Sequence, residues 1–250
     1  MSLKVTIITT CKNSESTIED TIRSVLSQDH KNIEYIIVDG GSTDGTLNII
    51  EKFKHKISKI IKEKDEGFYF AINKGIGEAS GDVIGNLNSD DFYSDNTIIS
   101  KVVKAFESEK AEGVYGDLHY VDKDNTSKII RNWKSGKYEE GMFVKGWMPP
   151  HPTFFVLKKC YEKFGSFNTA FKSAADYEIM LRFIHKHKIK VAYIPEVLIK
   201  MRVGGKSNVT MKNRIMANLE DRKAWEINGL KPELFTLIKK PLSKLQQYLR

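Results

Sequence analysis

The first hundred residues alternate between short apolar runs and amphipathic stretches. The apolar runs are rich in β-branched residues, as expected of buried strands, and they cover residues 5–9, 33–38, 57–61 and 82–87. The stretches between them repeat apolar side chains every three or four residues, which predicts helices that contain 18–26, 47–53, 68–79 and 98–106. A capping box is predicted at Ser16-Thr17-Ile18-Glu19. Alternating strands and helices predict an α/β fold, with a mostly parallel sheet covered on both faces.

The pattern changes after about residue 110. Two shorter strands, a long helix and a final strand are predicted, over 113–121, 127–132, 174–187 and 190–194. Residues 133–155 between them are irregular and rich in aromatic residues and glycine. No internal repeat or low-complexity linker divides the chain. We therefore predict one α/β domain over residues 1–205, followed by a basic helical tail over 206–250.

Length and composition are those of an ordinary folded protein. The chain has 250 residues, of which 40% are apolar and 29% are charged, and this argues against disorder and against collagen. The longest apolar run is the five residues from Phe68 to Ile72, whereas a membrane-spanning helix needs about 20. No signal peptide precedes the first predicted strand, and two cysteines, Cys11 and Cys160, are too few for a disulfide framework. These features predict a cytoplasmic protein.

Most of the net charge of +8 lies in the tail, where residues 206–250 hold ten Lys or Arg and four acidic residues. A basic tail suits an anionic partner such as a membrane surface or a nucleic acid, although a solvated helical face explains it as well. Apolar residues also recur there at helical spacing, in Leu234, Phe235, Ile238, Leu242, Leu245 and Leu249. This stripe predicts an amphipathic helix at the inner face of the plasma membrane, or packing on the domain or on a second subunit of a homodimer.

Acidic residues follow three of the predicted strands. Asp39 follows the second strand, Asp65-Glu66 the third, and Asp90-Asp91 the fourth. The carboxyl ends of parallel strands share one edge of the sheet, and ligands bind there in open α/β folds. Carboxylates that meet at this edge repel one another unless a cation joins them, and an all-oxygen set suits Mg²⁺ or Mn²⁺. Aspartates also favour turns and helix caps, so one such turn alone is weak evidence.

Four segments resemble family 2 glycosyltransferases of the GT-A fold, in the family's order and spacing. They are 5–13, 36–46, 63–75 and 81–91, and the resemblance covers roughly residues 3–205. It implies a Rossmann-like nucleotide-binding fold with a mixed, mostly parallel sheet flanked by helices. The string Asn88-Ser89-Asp90-Asp91 stands at the place of the family's Asp-x-Asp metal motif.

The resemblance implies a site for a nucleotide-sugar donor. Asp90 and Asp91 would hold Mn²⁺ or Mg²⁺ against the diphosphate. Two departures matter, because Asn88 stands where the family usually has Asp, and Gly40 stands where it often has a second acid. The second departure leaves the base of the donor open, with UDP favoured. The residues implied in donor binding are Thr10, Asp39, Asp65, Asn88, Asp90 and Arg202.

Inverting transfer also needs a base, because an acceptor hydroxyl is a poor nucleophile until its proton is removed. The resemblance places this base at Asp176, near the start of a late helix, with Glu178 as a weaker candidate. An acid in a first helical turn also stabilises the helix dipole, which is the structural alternative. His151 stands where the family lines the acceptor side, and a structural role explains this histidine equally well. Trp147 belongs to a group of aromatic residues that suits stacking on an acceptor sugar, and core packing explains it equally well.

These observations favour a metal-dependent inverting glycosyltransferase of the hexosyltransferase type. It would move a sugar from a UDP-sugar to a glycan or lipid-linked acceptor in surface-polysaccharide assembly. A sugar-phosphate nucleotidyltransferase is the first alternative, but it needs a glycine-rich loop after the first strand, and residues 10–14 contain no glycine. A basic nucleic-acid-binding protein is the second alternative. A nearly neutral body with clustered acids opposes it, so no nucleic-acid partner is expected.

Overall fold

The computed structural model describes residues 2–64, 67–204 and 211–231. Within these ranges nine strands form one sheet in the order β3-β2-β1-β4-β8-β6-β9-β5, with β7 paired to β6. The strands are β1 (Val5–Cys11), β2 (Ile33–Asp39), β3 (Lys59–Lys62), β4 (Val83–Asn86), β5 (Asp91–Tyr93), β6 (Gly113–Val121), β7 (Ile129–Trp133), β8 (Phe155–Leu157) and β9 (Val191–Arg202). The helices are α1 (Ile18–Leu26), α2 (Thr46–Lys52), α3 (Phe68–Glu78), α4 (Ile98–Glu109), α5 (Lys158–Phe164), α6 (Ala175–Met180) and α7 (Met211–Ile227).

The strands β3, β2, β1 and β4 are parallel to one another. Every residue of β1 is buried, because this strand lies inside the sheet and helices cover both faces. The short strand β8 is antiparallel to β4 and to β6, and β9 is parallel to β6. Because β4 and β6 are both antiparallel to β8, they are parallel to each other, and β4, β6 and β9 all run in the same direction as β1. Their carboxyl ends therefore lie on one edge of the sheet, and the predicted α/β class is confirmed.

Three local predictions were wrong. The capping box is not formed, because α1 begins at Ile18 after Thr17, with no side-chain cap bond among the described residues. The predicted helix 174–187 is two segments, α6 and a π-helical turn at Leu181–Lys186. The last strand does not end at 194 but continues to Arg202, where it pairs with β5.

The helix α3 packs closely over β1. At Gly75 an added Cβ would lie 2.5 Å from Cγ2 of Ile8, so only glycine allows the observed spacing. Two residues further along the same helix, Gly77 faces open space and has nothing within 4 Å of the corresponding position.

At the edge of the sheet formed by the amino ends of the strands, the carboxylate of Glu34 links β2 to β1 and to the turn before β4. It accepts hydrogen bonds from the Thr6 hydroxyl at 2.6 Å, from the Ser80 amide at 2.7 Å and from the Ser80 hydroxyl. Burial alone would raise the pKa of Glu34, but the bonds from Ser80, Thr6 and Lys4 outweigh it and lower the pKa to about 2.

The helix α7 confirms that the tail begins with helical structure. Ala224 and Trp225 are buried against the rest of the chain. The proposed boundary at residue 205 stays a prediction, and the apolar stripe at 234–249 lies outside the described residues. Across the described ranges, no helix has both the length and the apolar character needed to span a bilayer.

Candidate functional site

The carboxyl ends of β1 and β2 form one wall of the site. Thr10 is buried near the end of β1, and Asp39 closes β2 opposite Cys11. The Asp39 carboxylate accepts hydrogen bonds from the amides of Gly41 at 3.0 Å and Ser42 at 2.9 Å. It also accepts one from the Ser42 hydroxyl. Asp39 therefore stabilises the turn that follows β2 and is part of this wall of the site. Its contact with a donor stays a prediction, and Asp65 lies outside the described residues.

The acidic turn that follows β4, residues 88–91, is tightly organised. The Asn88 amide donates to Oδ2 of Asp91 at 2.9 Å, and the Asp91 amide donates to the Asn88 carbonyl at 3.1 Å. Asp91 is fully buried, and its Oδ1 has no hydrogen-bond partner among the residues that the structure describes. Asp90 is partly exposed. Asp90 is therefore the carboxylate of this turn that opens to solvent, with Asp91 beneath it.

The two carboxylates disturb each other electrostatically. Burial raises the pKa of Asp90, and a backbone hydrogen bond within the turn and the electrostatic influence of Arg202 and His151 partly oppose that rise. Burial and the neighbouring charge of Asp90 raise the pKa of Asp91 well above its usual range. Holding both carboxylates ionised therefore needs more positive charge at the turn.

This donor set fits a hard divalent cation only in part. Within the described ranges, no three His, Cys, Asp or Glu side chains converge as a closed protein site would require. Two adjacent carboxylates, one of them with an unpartnered buried oxygen, match a cation whose remaining ligands are water and substrate phosphates. The turn is thus suited to a metal that arrives with a phosphorylated substrate.

Arg202 is anchored beneath the acidic turn. Its side chain is 7% exposed, and its Nη1 donates to the Asp90 carbonyl at 2.7 Å. Its Nη2 pairs with Asp20 at 2.5 Å, and the guanidinium lies over the Phe92 ring, 4.9 Å from the centroid. Arg202 thus holds the backbone of the turn and places a fixed positive charge beside it. Its contact with a donor diphosphate stays a prediction.

The second part of the site is built around Asp176, in the first turn of α6. Its Oδ2 lies 3.1 Å from Nδ1 of His151, which belongs to the short 3₁₀ helix at His151–Thr153. Its Oδ1 accepts a hydrogen bond from the Tyr69 hydroxyl at 3.4 Å. The Asp176 side chain is 20% exposed, so it is held on two sides and still reachable from the cleft. His151 also acts electrostatically on Asp90, so this histidine is a neighbour of the acidic turn as well as of Asp176.

Sequence reasoning missed Tyr69. Burial raises the pKa of its hydroxyl, and the negative charge of Asp176 raises it further, so Tyr69 stays protonated and remains a donor. Its position in α3 gave one signal, since the tyrosine hydroxyl stood on the otherwise apolar buried face of that helix.

Trp147 is part of an aromatic cluster. Its indole N–H donates to the Ser135 carbonyl at 2.7 Å. Its ring packs edge-on against Tyr115 and Phe143, with centroids 5.7 and 5.5 Å apart. The ring is thus engaged in packing, and contact with an acceptor stays a prediction.

Residues 6–173 match the model of the family described as Glycosyl transferase family 2. The chain is similar to the putative teichuronic acid biosynthesis glycosyltransferase TuaG of Bacillus subtilis, at 42% identity over 142 residues, 55% of this chain and 56% of TuaG. It is also similar to WfaP of Escherichia coli, named as a UDP-Glc:alpha-D-GlcNAc-diphosphoundecaprenol beta-1,3-glucosyltransferase, at 41% identity over 123 residues, 48% of this chain and 47% of WfaP.

Solved structures share the fold. S. aureus TarS in complex with UDP-GlcNAc superposes with a TM-score of 0.69 at 16% identity, covering 99% of this chain and 72% of that one. The mannosyltransferase PcManGT of Pyrobaculum calidifontis, in complex with GDP-Man and Mn²⁺, gives 0.66 at 20% identity, covering 100% and 70%. At these identities the likeness concerns the fold alone, and it confirms the predicted GT-A architecture.

Proposed function

The chain belongs to glycosyl transferase family 2 and is a glycosyltransferase, and from that premise we propose that it carries out metal-assisted, inverting transfer of a hexose. One observation carries the proposal, namely that His151 is paired with Asp176 and also acts electrostatically on Asp90 of the acidic turn at 88–91. This shared neighbour supports a single cleft that contains both carboxylates. The family assignment argues against both alternatives, a sugar-phosphate nucleotidyltransferase and a nucleic-acid-binding protein.

The acidic turn would bind the donor diphosphate. Asp90 is the carboxylate with access to the cleft, and Asp91 supports it from below through its bond with Asn88. A divalent cation bound here would neutralise the negative charge that develops on the diphosphate as the glycosidic bond breaks. Arg202 fixes the backbone of the turn, so Asp90 keeps one position while the donor binds and leaves.

Asp176 would take the proton of the acceptor hydroxyl. Its two oxygens are oriented by different partners, Tyr69 on Oδ1 and His151 on Oδ2, so the carboxylate does not rotate freely. An oriented carboxylate next to the donor site removes the proton as the hydroxyl attacks, on the face of the sugar opposite the diphosphate.

We propose a UDP-sugar as the donor and a glycan or lipid-linked sugar as the acceptor. Support comes from relatives, since WfaP is named for UDP-Glc and a diphosphoundecaprenol acceptor, and TuaG for teichuronic acid biosynthesis. The TarS and PcManGT complexes contain UDP-GlcNAc and GDP-Man, so the fold accepts more than one base. An acceptor of this kind suits peripheral attachment to the inner face of the plasma membrane, which is the proposed location.

The donor part of the proposal is tested by measuring UDP affinity by calorimetry with Mn²⁺ and with EDTA. The unmutated protein is expected to bind UDP more tightly with Mn²⁺, and Asp90→Ala is expected to abolish the difference. Asp124→Ala is the control, because Asp124 is an exposed carboxylate on the turn between β6 and β7. Equal affinity with and without Mn²⁺ in the unmutated protein contradicts the proposed metal site.

The acceptor part is tested by Asp176→Asn. This change keeps the shape of the side chain and removes the base, so turnover is expected to fall by roughly 10²-fold or more. UDP affinity is expected to stay the same, because Asp176 faces the acceptor. Normal turnover, or a collapse of UDP binding instead, shows that Asp176 is not the base.

A further inference from the structure

A single side chain of α7 holds the backbone just before α6. Oε1 of Glu220 accepts a hydrogen bond from the Lys172 amide at 2.9 Å. Oε2 accepts bonds from the amides of Ser173 at 2.8 Å and Ala174 at 3.0 Å. Ala174 is the N-cap of α6 and has no polar side chain with which to cap it. The carboxylate of Glu220 therefore supplies, from another helix, the anionic cap that a helix N-terminus favours.

The helix α6 receives two more contacts directly after Asp176, one from α7 and one from Asn228, the residue that follows α7. The Trp225 indole donates to the Tyr177 hydroxyl at 2.9 Å, and the Asn228 amide donates to Oε1 of Glu178 at 2.9 Å. Trp225 is 1% exposed, so this contact is shielded from water. The C-terminal segment thus contacts the residues just before Asp176, at 172–174, and the two residues just after it.

We propose that Glu220 is a positioning residue for the transfer reaction, acting through α6 on the carboxylate of Asp176. The inference rests on the proposed role of Asp176 as the base. Without the Glu220 carboxylate, three amides at the start of α6 lose their acceptor, and the first turn of the helix, which carries Asp176, loosens. A displacement of about 1 Å at a reacting group can lower a rate by roughly 10²-fold. The C-terminal helix is therefore part of the catalytic unit.

The test is Glu220→Gln, which keeps the size of the side chain but leaves one acceptor oxygen and turns an NH₂ group toward an amide. The matched control is Glu226→Gln, because Glu226 lies on the same helix, is 60% exposed and pairs only at the surface, with Arg222. Transfer kinetics and UDP affinity are measured well below the unfolding temperature of each variant. We expect kcat to fall about tenfold or more in Glu220→Gln, with donor KM and UDP affinity unchanged. The control is expected to stay within about twofold.

A double-mutant cycle separates positioning from general stabilisation. If Glu220 acts through Asp176, Glu220→Gln is expected to change the residual rate of Asp176→Asn by less than about twofold. The same factor of loss in both backgrounds overturns the inference, and so does an unchanged kcat in Glu220→Gln alone. These results leave the proposed function intact as long as Asp176→Asn itself is impaired. Normal turnover in Asp176→Asn overturns the base assignment, and the inference with it.

A second variant covers the case in which Glu220→Gln does not fold. Trp225→Phe keeps an aromatic ring in the buried site and removes the indole N–H that donates to the Tyr177 hydroxyl. It is expected to lower kcat without changing UDP affinity, and again without effect in the Asp176→Asn background. An unchanged kcat in a folded Trp225→Phe, or an equal loss in both backgrounds, overturns the inference.

Discussion

Replacing Arg182 with methionine tests how a buried ion pair joins α6 to the backbone at residues 164–166. The Arg182 guanidinium binds the Glu178 carboxylate through Nε at 2.9 Å and Nη2 at 3.0 Å. It also donates to the carbonyls of Gly165 at 2.8 Å and Ser166 at 2.7 Å, and to that of Phe164. The side chains of Arg182 and Glu178 are only 12% and 2% exposed.

The magnitude follows from that burial. Methionine roughly keeps the volume of the stem, but it leaves the Glu178 carboxylate with Asn228 as its donor and removes the donor from three carbonyls. Breaking a buried ion pair on one side lowers the free energy of unfolding by about 3–5 kcal/mol. Each kcal/mol lowers Tm by about 2–4 °C in a chain of this size, so we expect Arg182→Met to unfold at least about 6 °C lower.

Arg222→Met is the control, because Arg222 and Glu226 form the same kind of pair four residues apart with both side chains about two-thirds exposed. It is expected to lower the free energy of unfolding by no more than about 1 kcal/mol. Urea unfolding followed by circular dichroism measures both variants. Equal losses in the two would refute the argument that burial determines the strength of the Arg182 pair.

Three further predictions concern the rest of the chain. Gly75→Ala is expected to lower the free energy of unfolding by about 1–3 kcal/mol, because the added Cβ meets Ile8. Gly77→Ala, whose Cβ points into open space, is expected to raise it by up to about 1 kcal/mol. Urea unfolding measures both variants, and equal effects contradict the packing argument. Glu34→Gln is expected to lower the free energy of unfolding by roughly 3 kcal/mol at pH 7. This loss is expected to vanish as the pH falls from 4.5 toward 2, because a carboxylate with a lowered pKa stabilises the fold only above that range. Unfolding is measured across this pH range, and a loss that does not change with pH contradicts the argument. A chain that ends at residue 231 is expected to keep its fold and its UDP binding and to lose salt-sensitive co-sedimentation with anionic vesicles. If the truncated chain still co-sediments with the vesicles, the tail is not the segment that binds the membrane.

The sequence predicted the parts of the molecule that local patterns determine. The strands β1 and β2 and the helices α3 and α4 are found close to their predicted bounds, because each has enough residues to show its period. The strands β5 and β8 were not predicted, since three residues are too few to show an alternation. The end of β9 was missed for a related reason, because its last residues are strand only through pairing with β5.

The candidate site divides in the same way. Asp90 and Asp176 were predicted from short stretches of neighbouring residues that resemble the family, and their roles stay predictions. Tyr69, Glu220 and the anchored state of Arg202 were not found, because each depends on a partner far along the chain. Tyr69 and Asp176 are 107 residues apart, for example, and Arg202 and Asp90 are 112 apart. Periodicity reports on neighbours in sequence, whereas these contacts are set by the topology of the sheet.

The pairing of β5 with β9 also has a consequence for how the enzyme emerges from the ribosome. The strands β1 to β4 can pair once the first ninety or so residues have been synthesised, and they already carry Asp39 and lead into the acidic turn. The turn itself is fixed only when Met201 pairs with Asp91 and the Arg202 side chain reaches the Asp90 carbonyl. Contacts of such long range form late and slowly, so a nascent chain holds a paired sheet of β1 to β4 before it holds an ordered acidic turn. The acidic turn is thus completed only after the chain has been synthesised through Arg202.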